Sequence, residues 1–459
     1  MSALPLQLLG ARVSSAYTPA WPRFSWDSPP VFYHSCNFTG PFTDAAIATM
    51  AKFPMVTIEK GQGVTLGTGP GNYAEDKIVA TLKRVKALDA NISTIFYYNS
   101  VLDWPFYEMH AKLLSNIHLA THDINGELCR QNGDGTFPNH TDMLSFDFAQ
   151  EAAREFWASE CYNMTQTGYV DGCFSDRATG GPSCKQSKEA DAAYAAGHIQ
   201  VHQELQKLIG NGPLIANHAY DMPGVNAVQI EGFKADNASI TVLLECVSNG
   251  KIVEAHAGYG EDGTADDHCA KGILNSLAAF LIGAGSRSYY TCSRGWKVQE
   301  DPINEAWHPE YDKPLGTPKG GAVYDAATSM WSRSFLHAKG TTLVRFDAKT
   351  NAGWIAWAGE PVPPVPPTPT PPPPRPLAKC GDPSTFFDAG VANGDITPGG
   401  WHPDHLKTDN ATACCVGCTG VPQCVYFTWY SDGSRECHYH SKVATVGSPS
   451  KGRTSGRVE

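Results

Sequence analysis

The chain has 459 residues, 42% of them hydrophobic and 18% charged, with a formal net charge of -11. That length accommodates one large domain and a smaller one, and the composition is that of a globular protein rather than a disordered one. Lys and Arg are scattered and leave no basic footprint, so nucleic acid is not an expected partner, and no apolar run reaches the roughly 18 residues that a spanning helix requires.

Residues 1–30 form an N-terminal segment whose short apolar run, 4–9, lacks a preceding basic region, so no signal peptide is assigned. From residue 31, short apolar or β-branched runs alternate with longer helical patterns, which marks βα units and a parallel sheet. Eight strands are expected, at 31–35, 55–60, 93–99, 169–176, 213–217, 227–232, 252–256 and 286–292. Helices are expected at 76–90, 150–165, 188–209, 240–248 and 266–282. Eight strands each followed by a helix close a (β/α)8 TIM barrel of about 250 residues, the length available here. An open flavodoxin-like sheet would need fewer strands and a phosphate loop that is not found.

Segment 342–357 reads as a β-hairpin with its turn near 351–353, which completes a barrel domain over 31–360. Residues 361–376, PVPPVPPTPTPPPPRP, can form neither ladder nor helix and read as a stiff polyproline II linker. Residues 377–459 are then a small domain with six cysteines, too short for a strong core without disulfides.

In a barrel of this kind the chemistry sits on the loops after the strands, so the polar residues that close each strand matter most. The second strand ends in Glu59 and Lys60, the third in Tyr98 and Asn99, the fourth in Asp176 and Arg177. The fifth ends in Asn217 and His218, the sixth in Glu231, and the seventh carries Glu254 and His256. A lone strand-end acid is as often a cap or a salt bridge as a functional group, but six such strands of eight are hard to explain that way. Strand side chains alternate, so Asp176 shares a face with Phe174 and not with Asp171. Asp171 is therefore expected to order the turn or bind backbone near the strand start.

Glycoside hydrolysis needs two carboxyl groups in different protonation states. Asp176 fits the nucleophile, with Arg177 or Lys60 available to keep it ionised, and Glu231, preceded by Val228 and Ile230, fits the acid/base. Tyr97, Tyr98, Trp104, Tyr107, Phe233, Tyr289, Tyr290 and Trp296 lie at or beyond strand ends, where a ring can stack on a pyranose or simply pack the rim. Trp104, Tyr107 and Trp296 fall in loops and are the better sugar platforms; Asn99, His218 and His256 suit hydroxyl groups. His218 and His256 match no metal-ligand spacing, and neither a metal nor another cofactor is expected.

The stretch from Gly168, G-x-x-D-G-x-F-x-D, resembles the fourth-strand motif of several barrel glycosidases, in which the final Asp is the nucleophile. An acid at the end of the sixth strand resembles the layout of the retaining α-galactosidase clan, although that clan commonly uses Asp where this chain has Glu231. Trp307-His-Pro-Glu-Tyr-Asp-Lys-Pro-Leu-Gly-Thr-Pro and Trp331-Ser-Arg-Ser-Phe are similar to the end of uncharacterised glycoside-hydrolase-like proteins. The resemblance implies an O-glycosyl hydrolase, retaining if the carboxyls lie close together, acting on a poly- or oligosaccharide. A catalytically silent carbohydrate-binding or adhesion protein is the alternative, and a polysaccharide lyase or deacetylase a third reading.

Of 14 cysteines, eight precede the linker; Cys380, Cys414, Cys415, Cys418, Cys424 and Cys437 follow it. Such a load suits disulfides in an oxidising compartment, and sequons at Asn37, Asn91, Asn139, Asn163, Asn237 and Asn410 point the same way, so a secreted glycoprotein is expected. Cys414-Cys-x-x-Cys418, Cys424-Val-Tyr-Phe-Thr-Trp and Cys437-His-Tyr resemble the PAN/Apple family, which implies a cysteine-bearing helix tied to a central strand and a glycan or protein ligand. Zinc at Cys415, Cys418, Cys424 and His438 is the less favoured alternative. The protein is expected to be monomeric.

Overall fold

The computed structural model describes residues 22–132, 141–258, 269, 272–293 and 307–360, and in the C-terminal region 380, 391–392, 406–407, 409–419, 426–431, 436–440, 445–446 and 453–457. The chain divides into two compact units, Met1–Pro363 and Pro364–Glu459. Trp296, Cys424 and the proline-rich stretch lie outside the described residues.

The first unit is built on eight parallel strands: β1 (Tyr33–Ser35), β2 (Met55–Ile58), β3 (Ser93–Asn99), β4 (Gly172–Asp176), β5 (Leu214–Asn217), β6 (Ala227–Glu231), β7 (Ile252–Ala257) and β8 (Ser288–Cys292). Each pairs with the next in sequence order, and a parallel bridge between Val31 and Tyr290 joins the first edge to the last. The result is a nearly closed α/β barrel of the TIM type. Around it run α1 (Asp44–Met50), α2 (Ala74–Leu88), α3 (Glu108–Ser115), α4 (Glu151–Thr165), α5 (Lys188–Ile209), α6 (Asn237–Ser248) and α7 (Leu274–Gly283). Thr43, Ser187 and Asp236 cap α1, α5 and α6 by accepting from amides that the first turn leaves unpaired.

Alternation along β3 separates two layers. Tyr97 and Asn99 face the barrel interior, whereas Tyr98 faces outward and stacks on Trp157 of α4, with ring centroids 5.0 Å apart. Gly172 opens β4 because a Cβ there would meet the carbonyl oxygen of Pro213 at 2.1 Å. The strand begins later than the expected 169–176 because Asp171 is occupied elsewhere: its carboxylate takes the Thr94 amide at 2.9 Å and Lys86 Nζ at 2.5 Å. α7 covers the later part of the helix expected at 266–282, and residues 266–268 and 270–271 of that expectation lie outside the described residues.

The hairpin expected at 342–357 is part of a larger antiparallel sheet. Strands β9 (Thr317–Pro318), β10 (Val323–Asp325), β11 (Met330–His337), β12 (Gly340–Asp347) and β13 (Ala352–Ala356) run in the order β9-β11-β12-β13, with β10 also on β11. Arg333 of β11 anchors it to the barrel by donating from Nη1 to the carbonyls of Leu281, Ile282 and Ala284 at 3.0, 3.1 and 2.6 Å. Those carbonyls belong to the end of α7, where no intrahelical donor reaches them.

Disulfides join Cys129 to Cys184, Cys161 of α4 to Cys173 of β4, and Cys269 to Cys292 at the end of β8. Cys36 and Cys246 are buried thiols. In the second unit α8 (Ala411–Thr419) packs on an antiparallel sheet ordered Leu406–Lys407, Glu436–His440, Tyr426–Tyr430, Arg453–Arg457. Cys414 ties α8 to Cys437 in that sheet, Cys415 pairs with Cys380, and Cys418 is also disulfide-bonded. No helix among the described residues is long and apolar enough to cross a membrane.

Candidate active site

Three neighbouring strands end in the same way. Asp176 closes β4, Asn217 closes β5 and Glu231 closes β6, and each is followed by a left-handed residue: Arg177 at φ 55, His218 at φ 58 and Gly232 at φ 69. The chain thus turns away directly after each polar side chain and leaves it at the barrel mouth. Arg177 and His218 hold this conformation despite their Cβ, a strain that folds keep mainly where a side chain must be placed.

Asn217 joins the two acids. Its Nδ2 donates to Asp176 Oδ1 at 3.1 Å and to Glu231 Oε2 at 2.5 Å. Those carboxylate oxygens are therefore separated by no more than the sum of 3.1 and 2.5 Å. Asp176 receives three further hydrogen bonds, from Tyr97 Oη at 2.5 Å, Asn99 Nδ2 at 3.0 Å and its neighbour's amide, Arg177 N, at 2.8 Å. Burial, the largest single effect, would raise the Asp176 pKa; the Lys60 ammonium, the hydrogen bonds from Tyr97 and Asn217, and Arg177 together outweigh it and hold the carboxyl below the usual range. The arrangement keeps Asp176 an anion with an ordered lone-pair set.

Lys60 sits just past β2, its Nζ 2.6 Å from Glu59 Oε2, 4.3 Å from the Tyr97 ring and 5.5 Å from the Trp104 ring. Burial disfavours the ammonium, but Glu59 and Asp176 more than compensate, so its pKa is raised. His218 Nε2 lies 3.6 Å from Glu231 Oε2, and its ring is half exposed. Beyond Arg177 and His218 a pocket of about 280 Å³ opens between the loops after β4 and β5, lined by Thr179, His198, Ile199, Asp221 and Met222 among others.

The structure thus gathers Lys60, Asn99, Trp104, Asp176, Arg177, Asn217, His218 and Glu231 at one mouth. Four other sequence candidates are buried with their polar atoms or rings turned to the protein. Tyr98 is sealed between β3 and α4, and Tyr107 stacks on it at 6.4 Å while donating to the Tyr97 carbonyl at 3.0 Å. Glu59 is 1% exposed with both oxygens engaged, by His34 and Lys60. His256 is wholly buried, its Nε2 on Ser293 Oγ at 2.9 Å. Tyr97 is the residue that strand-end reading passes over as a site residue; counting back two from Asn99 along the strand finds it. The same step from Glu231 finds Gln229, and from His256 finds Glu254. Among the described residues no group of three or more His, Cys, Asp or Glu is placed to hold a metal ion.

Residues 86–339 match the model of a family described as hypothetical glycosyl hydrolase family 15. The chain belongs to this family. The matched stretch contains Asp176, Asn217 and Glu231, so the site lies within the part of the chain that defines hypothetical glycosyl hydrolase family 15. Membership makes the protein glycosyl-hydrolase-like and indicates a carbohydrate as its substrate class. Solved structures similar to this family member include the glycoside hydrolase domain of PelA from Pseudomonas aeruginosa, 13% identical over 59% of this chain and 95% of that one, TM-score 0.37. Another is TtGalA, an α-galactosidase from Thermus thermophilus, 14% identical over 50% of this chain and 51% of that one, TM-score 0.35. A third is Amy13B of Eubacterium rectale, 10% identical over 71% of this chain and 87% of that one, TM-score 0.42. No curated protein matches.

Proposed function

We propose that the protein is a retaining glycoside hydrolase that cleaves glycosidic bonds in a poly- or oligosaccharide, with Asp176 as nucleophile and Glu231 as acid/base. In the first step an Asp176 oxygen bonds to the anomeric carbon while the bond to the leaving oxygen breaks and Glu231 gives that oxygen its proton. In the second, Glu231 takes a proton from water, whose oxygen bonds to the anomeric carbon and displaces Asp176. Lys60, Tyr97 and Asn99 keep the nucleophile ionised, Trp104 offers a ring face, and Arg177, Asn217 and His218 offer polar contacts to sugar hydroxyls.

The observation that carries this reading is the shared Asn217 amide. It holds the two acids within the sum of 3.1 and 2.5 Å at their nearer oxygens. Retaining enzymes place their carboxyls about 5 to 5.5 Å apart, and inverting enzymes leave about 6.5 to 9.5 Å for a water. The test is a polysaccharide panel read by release of reducing ends. Asp176→Asn is expected to abolish turnover with the circular dichroism spectrum unchanged. Glycan binding without turnover in the parent protein would indicate a binding protein instead, and an unsaturated sugar or released acetate a lyase or deacetylase.

The chain is further inferred to be secreted and monomeric, the barrel disulfides and the sequons supporting an oxidising, glycosylating compartment. The C-terminal unit is read as a PAN/Apple-like module that takes a glycan or protein ligand, supported by the tie from Cys414 of α8 to Cys437 in the sheet.

A further inference from the structure

Below the mouth, the barrel interior carries a continuous run of buried polar side chains from β7 back to β2. The Gln229 amide nitrogen lies 2.8 Å from Glu254 Oε2 and 3.0 Å from His34 Nδ1. On the other side of that imidazole, His34 Nε2 lies 2.9 Å from Glu59 Oε1, and Glu59 Oε2 takes Lys60 Nζ at 2.6 Å. Glu254 and Gln229 are wholly buried, and His34 and Glu59 are each 1% exposed.

The direction of each bond follows from what the groups can do. An ionised Glu254 only accepts, so the Gln229 amide must turn its NH2 toward it. The same NH2 then faces His34 Nδ1, which must accept, and the single proton of a neutral His34 is left on Nε2, where it is donated to Glu59. If the amide were reversed, Gln229 Oε1 would face a carboxylate and would require a proton on Nδ1. The Glu59 oxygen would then meet either a bare Nε2 or an imidazolium that competes with Lys60 for its charge.

We propose that Glu254 and Gln229 are positioning residues of the site: the Glu254 carboxylate orients the Gln229 amide, which holds His34 as its Nε2–H tautomer and so fixes the Glu59–Lys60 pair beside Asp176. Among the described residues, the following groups face Glu254. His34 approaches from β1 with Glu59 and Lys60 of the β2 end behind it, Gln229 comes from β6, and His256 is two residues along β7. From β8, Tyr289 stands in register with Glu254, donates to the Pro22 carbonyl at 2.8 Å, and has its pKa pushed up by burial. Burial lowers the His256 pKa well below the usual range, so it stays neutral. Burial also pushes Glu254 up to about 7, which places its charge change where the relay can be followed by pH.

The inference rests on the hydrolase reading only for its activity arm. The direct test uses full-length protein with 15N-labelled histidine, His34 being assigned by His34→Gln. Above pH 8, long-range 1H–15N spectra should show His34 Nε2 protonated and Nδ1 unprotonated, and Glu254→Leu should abolish that pattern. Glu254→Gln keeps an acceptor and should keep the tautomer while losing its change with pH near 7. In turnover assays Glu254→Leu should lose about ten- to hundredfold in kcat, the scale of a small misplacement at a reacting centre, with KM little changed. Glu254→Gln should restore most of kcat but flatten the inflection near pH 7. A His34 that is Nδ1-protonated in the parent, or a kcat indifferent to Glu254→Leu, overturns the proposal; absence of any turnover in the parent, with the spectra as expected, sinks the hydrolase reading and leaves the relay standing.

Discussion

A buried lysine beside an aspartate decides how the mouth of this barrel behaves with pH. Lys60 is 7% exposed, and its burial is tolerable only because Glu59 and Asp176 face it. Because the folded Asp176 pKa is depressed, its ionised form persists below the usual carboxylate range and is lost only as pH falls through that lowered value. Activity that needs the anion should therefore hold to pH below about 4. Lys60→Met should move the acid limb of kcat/KM upward and destabilise the fold by about 3 to 5 kcal/mol, since the buried Glu59 loses the cation paired with its Oε2; a pH-rate profile and a denaturant titration measure both. Lys60→Arg should not restore the parent profile, because a planar guanidinium does not fit the space an ammonium fills between Glu59 and the Tyr97 ring. The strand-end positions of Asp176, Glu231 and Asn217 were legible in the sequence because each closes an apolar run. The bond from the Tyr97 hydroxyl to Asp176 and the place of His34 were not, because an aromatic residue inside an apolar run looks like core packing until its neighbour across the barrel is known. Glu59 looked like a sugar ligand for the opposite reason: its place at a strand end says nothing about the His34 ring waiting beneath it.

At the scale of elements, the eight strands were legible from β-branched runs, and their order follows from the βα alternation alone. What the sequence hid were the boundaries set by turn geometry and tertiary contact. The role of Asp171 as a clasp for Thr94 and Lys86 shortens β4. The antiparallel sheet after the barrel was legible only as its last hairpin, since β9 and β10 are two and three residues long and gain their strand character from β11. Arg333 is the joint between that sheet and α7. Its replacement by Leu should leave three helix-end carbonyls without their donor and cost about 2 to 4 kcal/mol. Thermal unfolding would show this as a lowered Tm, with little effect on turnover because the contact lies away from Asp176.

For the whole molecule, disulfides tie two of the barrel strands to their surroundings. Cys161–Cys173 links α4 to the strand that ends in Asp176, and Cys269–Cys292 fixes the end of β8. Loops of these lengths restrict the unfolded chain by about 3 kcal/mol each, so reduction should lower the midpoint of the barrel's unfolding in denaturant, and alkylated protein should fail to recover it. The pairing of the cysteines was not legible, since spacing alone leaves many connectivities open.

Closely placed acids under one amide make a stereochemical statement about the reaction, and that statement is what most needs testing. On an oligosaccharide that the protein cleaves, proton NMR of the first-formed product, taken before mutarotation, should show the anomeric configuration of the bond that was cut. A product of inverted configuration would contradict the assignment of Asp176 as a nucleophile that bonds to the sugar.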